Sequence, residues 1–546
     1  MDSLRTLSQR FAYAGFLPRV VLLAVILTAE LAWASLAFDG ATLTTQPGLL
    51  THLLAAWASP TARFLVVLAA ITSTFCFLDR RDRVIAFARS SGTPPLNWFW
   101  LPIHLAAVAL CGWSGTVLYW GHSGSPDLLV VATLLSAGAV AVAAGLWLLP
   151  AAIWKRLLAI PREIWGYGAA AGVAVILGQG LVQQLWVPLS KITFHIVQAM
   201  LRPITTLNAD PGRLMLSKGQ FWVIIAPECS GLEGMLLLLL IGGLWLILFR
   251  KECRFPQALL LLPAGALILF FLNSVRIAVL ILIALAGAED IAVKGFHSQA
   301  GWISFNAVSL GLCVAAQRMS WFSKRPRAEK PARSLTEAYL VPFLAILAAG
   351  MAARAMSSDF EWAYPLRLAA PLAVFWFYRR SYRGIDWRFS PGGGLWIGIG
   401  AGVLVLALWV GVDVASGTPA AAMPKQLRDA SPGLRMFWIT LRALAAIVTV
   451  PIAEELAFRG YLIRQVMSKD FEKLPPTACS WLALIVSSVV FGLLHGGRWI
   501  AGVAAGLIYA LVYVRKGRIA DSILAHAVTN ALLAAMVVFG GAWQYW

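Results

Sequence analysis

Apolar runs of about twenty residues recur through this 546-residue chain, each closed by a short polar or basic break. A helix needs about 20 apolar residues to cross the hydrocarbon core of a bilayer. Runs of that size lie near 18–38, 62–78, 97–120, 127–149, 166–187, 230–249, 257–286 and 301–317. A second series lies near 337–356, 366–378, 392–412, 435–453, 479–495, 498–514 and 519–540, shorter and more broken by Gly and Pro. With 60% of residues hydrophobic and only 13% charged, the chain cannot keep so much apolar surface from water by folding on itself. The bilayer has to be its solvent, and backbone groups there must be satisfied within helices. The expected fold class is therefore all-α: a polytopic membrane protein with about eight helices in a first unit and about six to eight in a second.

The net charge of +19 does not indicate nucleic acid, because the positive residues sit in short clusters between apolar runs. That is how a positive-inside topology is written. In the first unit every second connection is basic: Arg80, Arg81, Arg83 and Arg89; Lys155, Arg156 and Arg162; Arg250, Lys251 and Arg254; then Arg318, Lys324, Arg325, Arg327, Lys330 and Arg333. Eight helices with both ends in the cytoplasm satisfy all four clusters. That arrangement puts residues 188–229 and a short 287–300 loop on the outer face. Arg379, Arg380, Arg383 and Arg388, then Arg515, Lys516 and Arg518, mark cytoplasmic loops of the second unit. Many of the 24 Trp stand near run ends, as in residues 97–102 and 541–546, where they fit interfacial anchors. The six Cys form no CxxC pair. The N-terminus lacks a small-residue cleavage site after a short apolar stretch, so the first run reads as a retained helix. The polar stretch around 318–335 is the clearest domain boundary. It gives a transmembrane domain over 1–320, a basic cytoplasmic linker over 321–336, and a second transmembrane domain over 337–546 with its core at 440–540.

One group of reactive residues is expected on the outer face. Cys229, in Pro227-Glu228-Cys229-Ser230-Gly231, opens the sixth run, where a helix N-terminus would favour a thiolate. Asn273 and Arg276 lie in an apolar stretch, and a charge there usually faces a partner or a cavity. His297 follows on the same side, with Ser298 and Gln299 beside it, and His195 in the outer segment is a competing base. These types together allow acyl transfer through a thiolate, a proton-exchanging His and an oxyanion-stabilising Arg. Singly, each has a plainer reading: a membrane Cys is usually packing, and a loop His is usually solvated.

Eight helices with PECSGLEG, NSVRIA and FHSQAGW resemble the exosortase/archaeosortase family of membrane transpeptidases over most of residues 1–320. The resemblance implies Cys229 as nucleophile, Arg276 as the transition-state arginine and His297 as the third catalytic residue. It implies exported protein substrates whose C-terminus carries a sorting motif, a transmembrane helix and a basic tail, cut outside the helix. It also implies a bacterial inner membrane, with this site on the periplasmic face and membrane lipid around it.

A second group lies in the C-terminal half. Glu454 and Glu455 are adjacent, and Glu455 and Arg459 are four apart, so they can pair on one helical face and leave Glu454 for chemistry. His495 follows in FGLLHGG. His526 and Asn530 are again four apart. An acid beside a neutral His can deprotonate water, and His with Asn can donate to an oxyanion. These EExxxR, FxxxH and HxxxN patterns resemble the type II CAAX prenyl endopeptidase family, also called the CAAX protease and bacteriocin-processing family. That resemblance implies a glutamate intramembrane protease: Glu454 and His495 activate water, His526 and Asn530 hold the oxyanion, and Glu455 and Arg459 support them. No cofactor is expected. Zinc held by Glu and two His is the alternative, without HExxH spacing to back it.

Both halves in this order resemble exosortase E/protease fusions, which implies targets ending in a Val-Pro-Glu-Ile-Asp type tail. A rival reading is a transporter or scaffold with one or both halves inactive. A transporter should show paired half-repeats and charges lining one path, and the sequence shows neither.

Overall fold

The computed structural model describes residues 17–38, 43, 48–79, 95–120, 125–158, 162–324, 334–468 and 470–546. The expected basic residues Arg80, Arg81, Arg83, Arg89, Arg325, Arg327, Lys330 and Arg333, and positions 325–333 of the expected linker, lie outside that set, as do residues 1–16 of the N-terminus. Among the described residues, nine helices are long and apolar enough to cross a membrane. Every expected run of both series is helical. The protein is an all-α polytopic membrane protein.

The helices, in order, are α1 (Leu17–Ala37), α2 (Leu49–Asp79), α3 (Trp100–Trp120), α4 (Pro126–Leu148), α5 (Ala151–Leu158), α6 (Arg162–Leu201), α7 (Leu232–Leu248), α8 (Leu261–Leu285), α9 (His297–Arg318), α10 (Leu335–Ala355), α11 (Leu366–Tyr378) and α12 (Gly394–Ala415). They continue with α13 (Pro432–Met467), α14 (Trp481–Leu493), α15 (Trp499–Lys516) and α16 (Ile519–Val538). By packing, the chain divides into two compact units, 1–183 and 184–546.

In the first unit, small residues let helices approach closely, as membrane packing requires. Gly168 and Gly172 of α6 lie against Leu68, Thr72 and Phe64 of α2. Buried His104 of α3 faces Glu30 at 2.9 Å and the Val140 carbonyl at 3.1 Å, so a polar group inside this unit is paired.

In the second unit, a three-stranded antiparallel sheet follows α6: β1 (Asn208–Asp210), β2 (Met215–Lys218) and β3 (Phe221–Ile224). Residues 188–229, expected on the outer face, carry no strand signal in the sequence. Three- and four-residue strands carry too little alternation to register against helical signals. Leu216 of β2 is fully buried and packs with Phe194, Val197, Ile277 and Ile281, which fixes the sheet on α6 and α8. A second core joins Phe343, Val405, Ala453, Phe458, Phe491, Tyr509 and Ala525 from six helices. Glycines again set the spacing: Gly402 of α12 meets the Ala525 carbonyl and Val528 of α16, and Gly506 of α15 meets Ser488 of α14.

Four polar ties gather the basic clusters of this unit at one end of the bundle. Arg254 donates its backbone N–H to the Phe322 carbonyl at 2.7 Å, and Lys324 donates to Glu252 at 2.9 Å. Tyr382 donates to the Ala338 carbonyl at 2.7 Å, near the start of α10. Arg518 pairs with Asp386.

The expected 287–300 loop is mostly helix. A π-helical turn, Ile291–Phe296, runs straight into α9, so His297 opens a helix instead of sitting in a loop. Such π-turns are frequent at functional sites.

Candidate active sites

Cys229 lies in a 3₁₀ turn, Pro227–Ser230, and not in the first turn of α7. Gly231 separates the two in a left-handed conformation, φ +78°. It also lies so close to α8 that a Cβ would sit 2.9 Å from the Asn273 side chain. Only glycine meets both conditions cheaply. Asn273 fixes the turn from the other side, its amide donating to the Cys229 carbonyl at 2.7 Å. The Cys229 side chain packs half-buried against the core of Phe194, Leu216 and Ile277.

Arg276 is one helical turn beyond Asn273 on α8. It lies close enough to Cys229 to interact with it electrostatically. Its guanidinium fills the space left by Gly301 of α9, where a Cβ would come within 2.8 Å. Its Nε has no hydrogen-bond partner among the described residues. Arg276 and His297 line one cavity of about 440 Å³ with Asn273, Gly231, Glu233 and Ser298. Cys229 is joined to that cavity through Asn273 and Gly231. His195, the competing base, is exposed on α6 and does not line it. The structure thus brings Arg276 and His297 into one cavity and sets the Cys229 turn against its wall, with Cys229 itself outside the lining. It adds Gly301 of α9, which lies against Arg276, and gives Asn273 a partner in the Cys229 turn, contacts that no local pattern reports.

The second group forms a smaller cavity of about 210 Å³ lined by Glu454, His495, His526 and Asn530. α13 changes between α and π turns at Ala445–Thr449 and Leu456–Leu462, on either side of the paired glutamates. Those extra residues re-aim side chains within a continuous helix. Glu455 and Arg459 are both fully buried and 3.1 Å apart. Arg459 also donates to the Gly506 carbonyl at 3.0 Å and lies over the Phe491 ring, 4.5 Å from its centroid. Glu455 does more than pair with Arg459: His526 donates Nδ1–H to its other oxygen at 3.0 Å. The imidazole stacks on Tyr509 at 4.9 Å, and Tyr509 donates to Thr529 at 2.8 Å. His526 Nε2 is thereby aimed at Glu454, 4.0 Å from Oε2. That oxygen is buried with no hydrogen-bond partner among the described residues.

His495 donates Nδ1–H to the Phe491 carbonyl at 2.9 Å, which leaves Nε2 as its basic nitrogen. Asn530 donates one amide hydrogen to the Ala446 carbonyl at 2.7 Å and keeps the other. Sequence spacing could not show that Glu455 holds His526, because the two are 71 residues apart. Among the described residues, no group of three or more His, Cys, Asp or Glu is arranged to hold a metal ion.

Comparison with known families agrees with this division. Residues 56–314 match the Transmembrane exosortase family model. Residues 436–532 match the Type II CAAX prenyl endopeptidase Rce1-like model. No curated protein and no solved structure matches the chain. The first match contains Cys229, Arg276 and His297, and the second contains Glu454, His495, His526 and Asn530. The two matches stand in that order along the chain, exosortase first and type II CAAX prenyl endopeptidase second, which supports a membrane protease/transpeptidase fusion.

Proposed function

We propose that the first region is a cysteine transpeptidase that cuts the C-terminal sorting tail of exported proteins, and that the second is a glutamate-type intramembrane endopeptidase. The carrying observation is that Arg276 and His297 line one cavity, with the Cys229 turn anchored to its wall by Asn273. The Cys229 thiolate attacks the scissile carbonyl. Arg276, which lines the cavity with His297, stabilises the oxyanion. His297 gives a proton to the leaving amine, and the thioester passes to an acceptor nucleophile. In the second cavity, Glu454 takes the proton from a water that attacks a peptide carbonyl. His526 is held by Glu455 with Nε2 toward Glu454, which favours a place on the water side, while the remaining amide hydrogen of Asn530 faces the oxyanion. The enzyme sits in the bacterial inner membrane, with the first site on the periplasmic face.

Cleavage of a co-expressed, tagged protein ending in a sorting tail tests this reading with wild type, Cys229→Ala and Arg276→Ala. Loss of tail release in both variants, with protein levels unchanged, is the expected result. Undiminished release in Cys229→Ala removes the transpeptidase assignment.

A further inference from the structure

The two cavities lie at the same end of the second unit. Gly295, two residues before His297, is pressed onto the end of α10, where a Cβ would lie 2.0 Å from the Ser357 carbonyl oxygen and 2.6 Å from that of Arg354. Lys294 pairs with Asp359 at 2.9 Å. Two residues further on, the Glu361 carbonyl accepts from the Trp438 indole at 3.1 Å, and its carboxylate accepts from Arg367 at 2.9 Å. Tyr364, in the same segment, lines the second cavity beside Arg442, which lies 4.2 Å from its ring centroid. One short connection, 356–365, therefore runs from the wall of the first site to the mouth of the second. The basic clusters gather at the other end, around 250–254, 318–324, 379–388 and 515–518. Under the positive-inside rule that end is cytoplasmic and both cavities open opposite to it.

Both cavities reach into the membrane: Arg276 of the first is nine residues before the end of α8, about 14 Å along a helix. The second cavity is lined at its mouth by Tyr364, Arg442, Tyr545 and Trp546, but Glu454, His526 and Asn530 lie within membrane-spanning helices. Asn530 is eight residues before the end of α16, about 12 Å along a helix. A peptide in water cannot present a bond there without entering the bilayer. A membrane helix whose end lies at this face can.

Building on the function proposed above, we infer that the second cavity consumes the product of the first: its substrate is the membrane-anchored C-terminal fragment released at Cys229. In the first step the Cys229 sulfur bonds to the scissile carbonyl carbon, the peptide C–N bond breaks, and the nitrogen leaves as the new amino terminus of the tail helix. That end emerges at the face on which the second cavity opens. In the second step water adds to a carbonyl within the fragment, and one more peptide bond is replaced by a carboxylate and an amine. No oxidant or further reactant is needed.

The test uses the full-length enzyme and a substrate tagged on both sides of its sorting tail. In Glu454→Gln, release of the exported part continues and the tail fragment accumulates at least about tenfold over wild type, because loss of a general base slows its cleavage by about 10²–10⁴-fold. In Cys229→Ala neither the exported part nor any tail fragment appears. The inference is overturned, with the transpeptidase reading intact, if Cys229→Ala blocks release but the tail fragment is equally abundant in wild type and Glu454→Gln. It is also overturned if the second site cuts intact precursor in Cys229→Ala. Release that persists in Cys229→Ala instead fails the underlying reading. A second measurement does not depend on catalysis. Trp222→Cys in β3 and Trp362→Cys in the 356–365 connection should both react with a membrane-impermeant maleimide from one side, and Trp321→Cys from the other. Labelling of Trp222→Cys and Trp362→Cys from opposite sides overturns the shared face.

Discussion

Around the second cavity the protein holds its own machinery in place, whereas around the first it leaves a charge to be completed. Glu455, Arg459 and His526 form a closed chain in which the ion pair is fully buried and further tied to the Gly506 carbonyl. Arg276 lines its cavity with no ion pair to a carboxylate among the described residues, and Cys229 is carried on a separate turn fixed by Asn273. Buried charge is tolerated only when paired, so the arrangement at the second site is rigid before substrate arrives. An arginine half-open to a cavity can take its last partner from the reacting group, so its stabilisation is reserved for the reaction. The two halves thus show two ways of keeping charge in a bilayer: neutralised by the fold, or by the substrate.

The largest effect that bears on this contrast is at Arg459. Arg459→Met strands the Glu455 carboxylate in a fully buried site and should destabilise the second unit by about 3–5 kcal/mol. Thermal unfolding in detergent checks this, and Glu455→Gln added to Arg459→Met should recover much of the loss. If Arg459→Met is neutral, the closed chain is not what holds the site. Next is Glu455→Gln, which weakens the grip on His526 while sparing Glu454. It should lower kcat of the second reaction on the order of 100-fold with KM little changed, as expected for a group positioning a catalyst. Gly231→Ala adds a Cβ against Asn273 at a positive φ and should cost about 1–3 kcal/mol, with tail release reduced and the second reaction spared. Asn273→Ala removes one hydrogen bond to the Cys229 turn, worth about 1 kcal/mol, and should reduce tail release about tenfold. The smallest effect is at Lys294→Ala, an exposed pair with Asp359, which should leave both reactions unchanged within scatter.

The helices themselves were legible because each is written over a full membrane width of apolar residues, and the basic clusters were legible because charge cannot stay in the hydrocarbon. The structure gathers the clusters at 250–254, 318–324, 379–388 and 515–518 at one end, as alternation along the sequence requires. The candidate residues were legible as types at fixed spacing, such as Glu455 with Arg459 and His526 with Asn530. Their partnerships were not. Glu455 reads as a helix salt bridge, yet it also holds His526 across two helices. His297 reads as a loop residue, because a π-turn leaves no periodic mark in a six-residue stretch. The sheet over 208–224 was invisible for a similar reason. Strands of three or four residues, stabilised by burying Leu216 against α6 and α8, are decided by tertiary packing and not by local pattern.

Intermediate trapping on the first half tests the central claim most directly, that its cavity performs covalent chemistry completed by substrate. Membranes carrying wild-type enzyme would be quenched in acid during turnover of a tagged sorting-tail protein, then digested and analysed by mass spectrometry with and without hydroxylamine. The account predicts a hydroxylamine-labile substrate adduct on Cys229, much weaker in Arg276→Ala and absent in Cys229→Ala. Tail cleavage in wild type with no adduct on Cys229, or an equal adduct in Arg276→Ala, would contradict it.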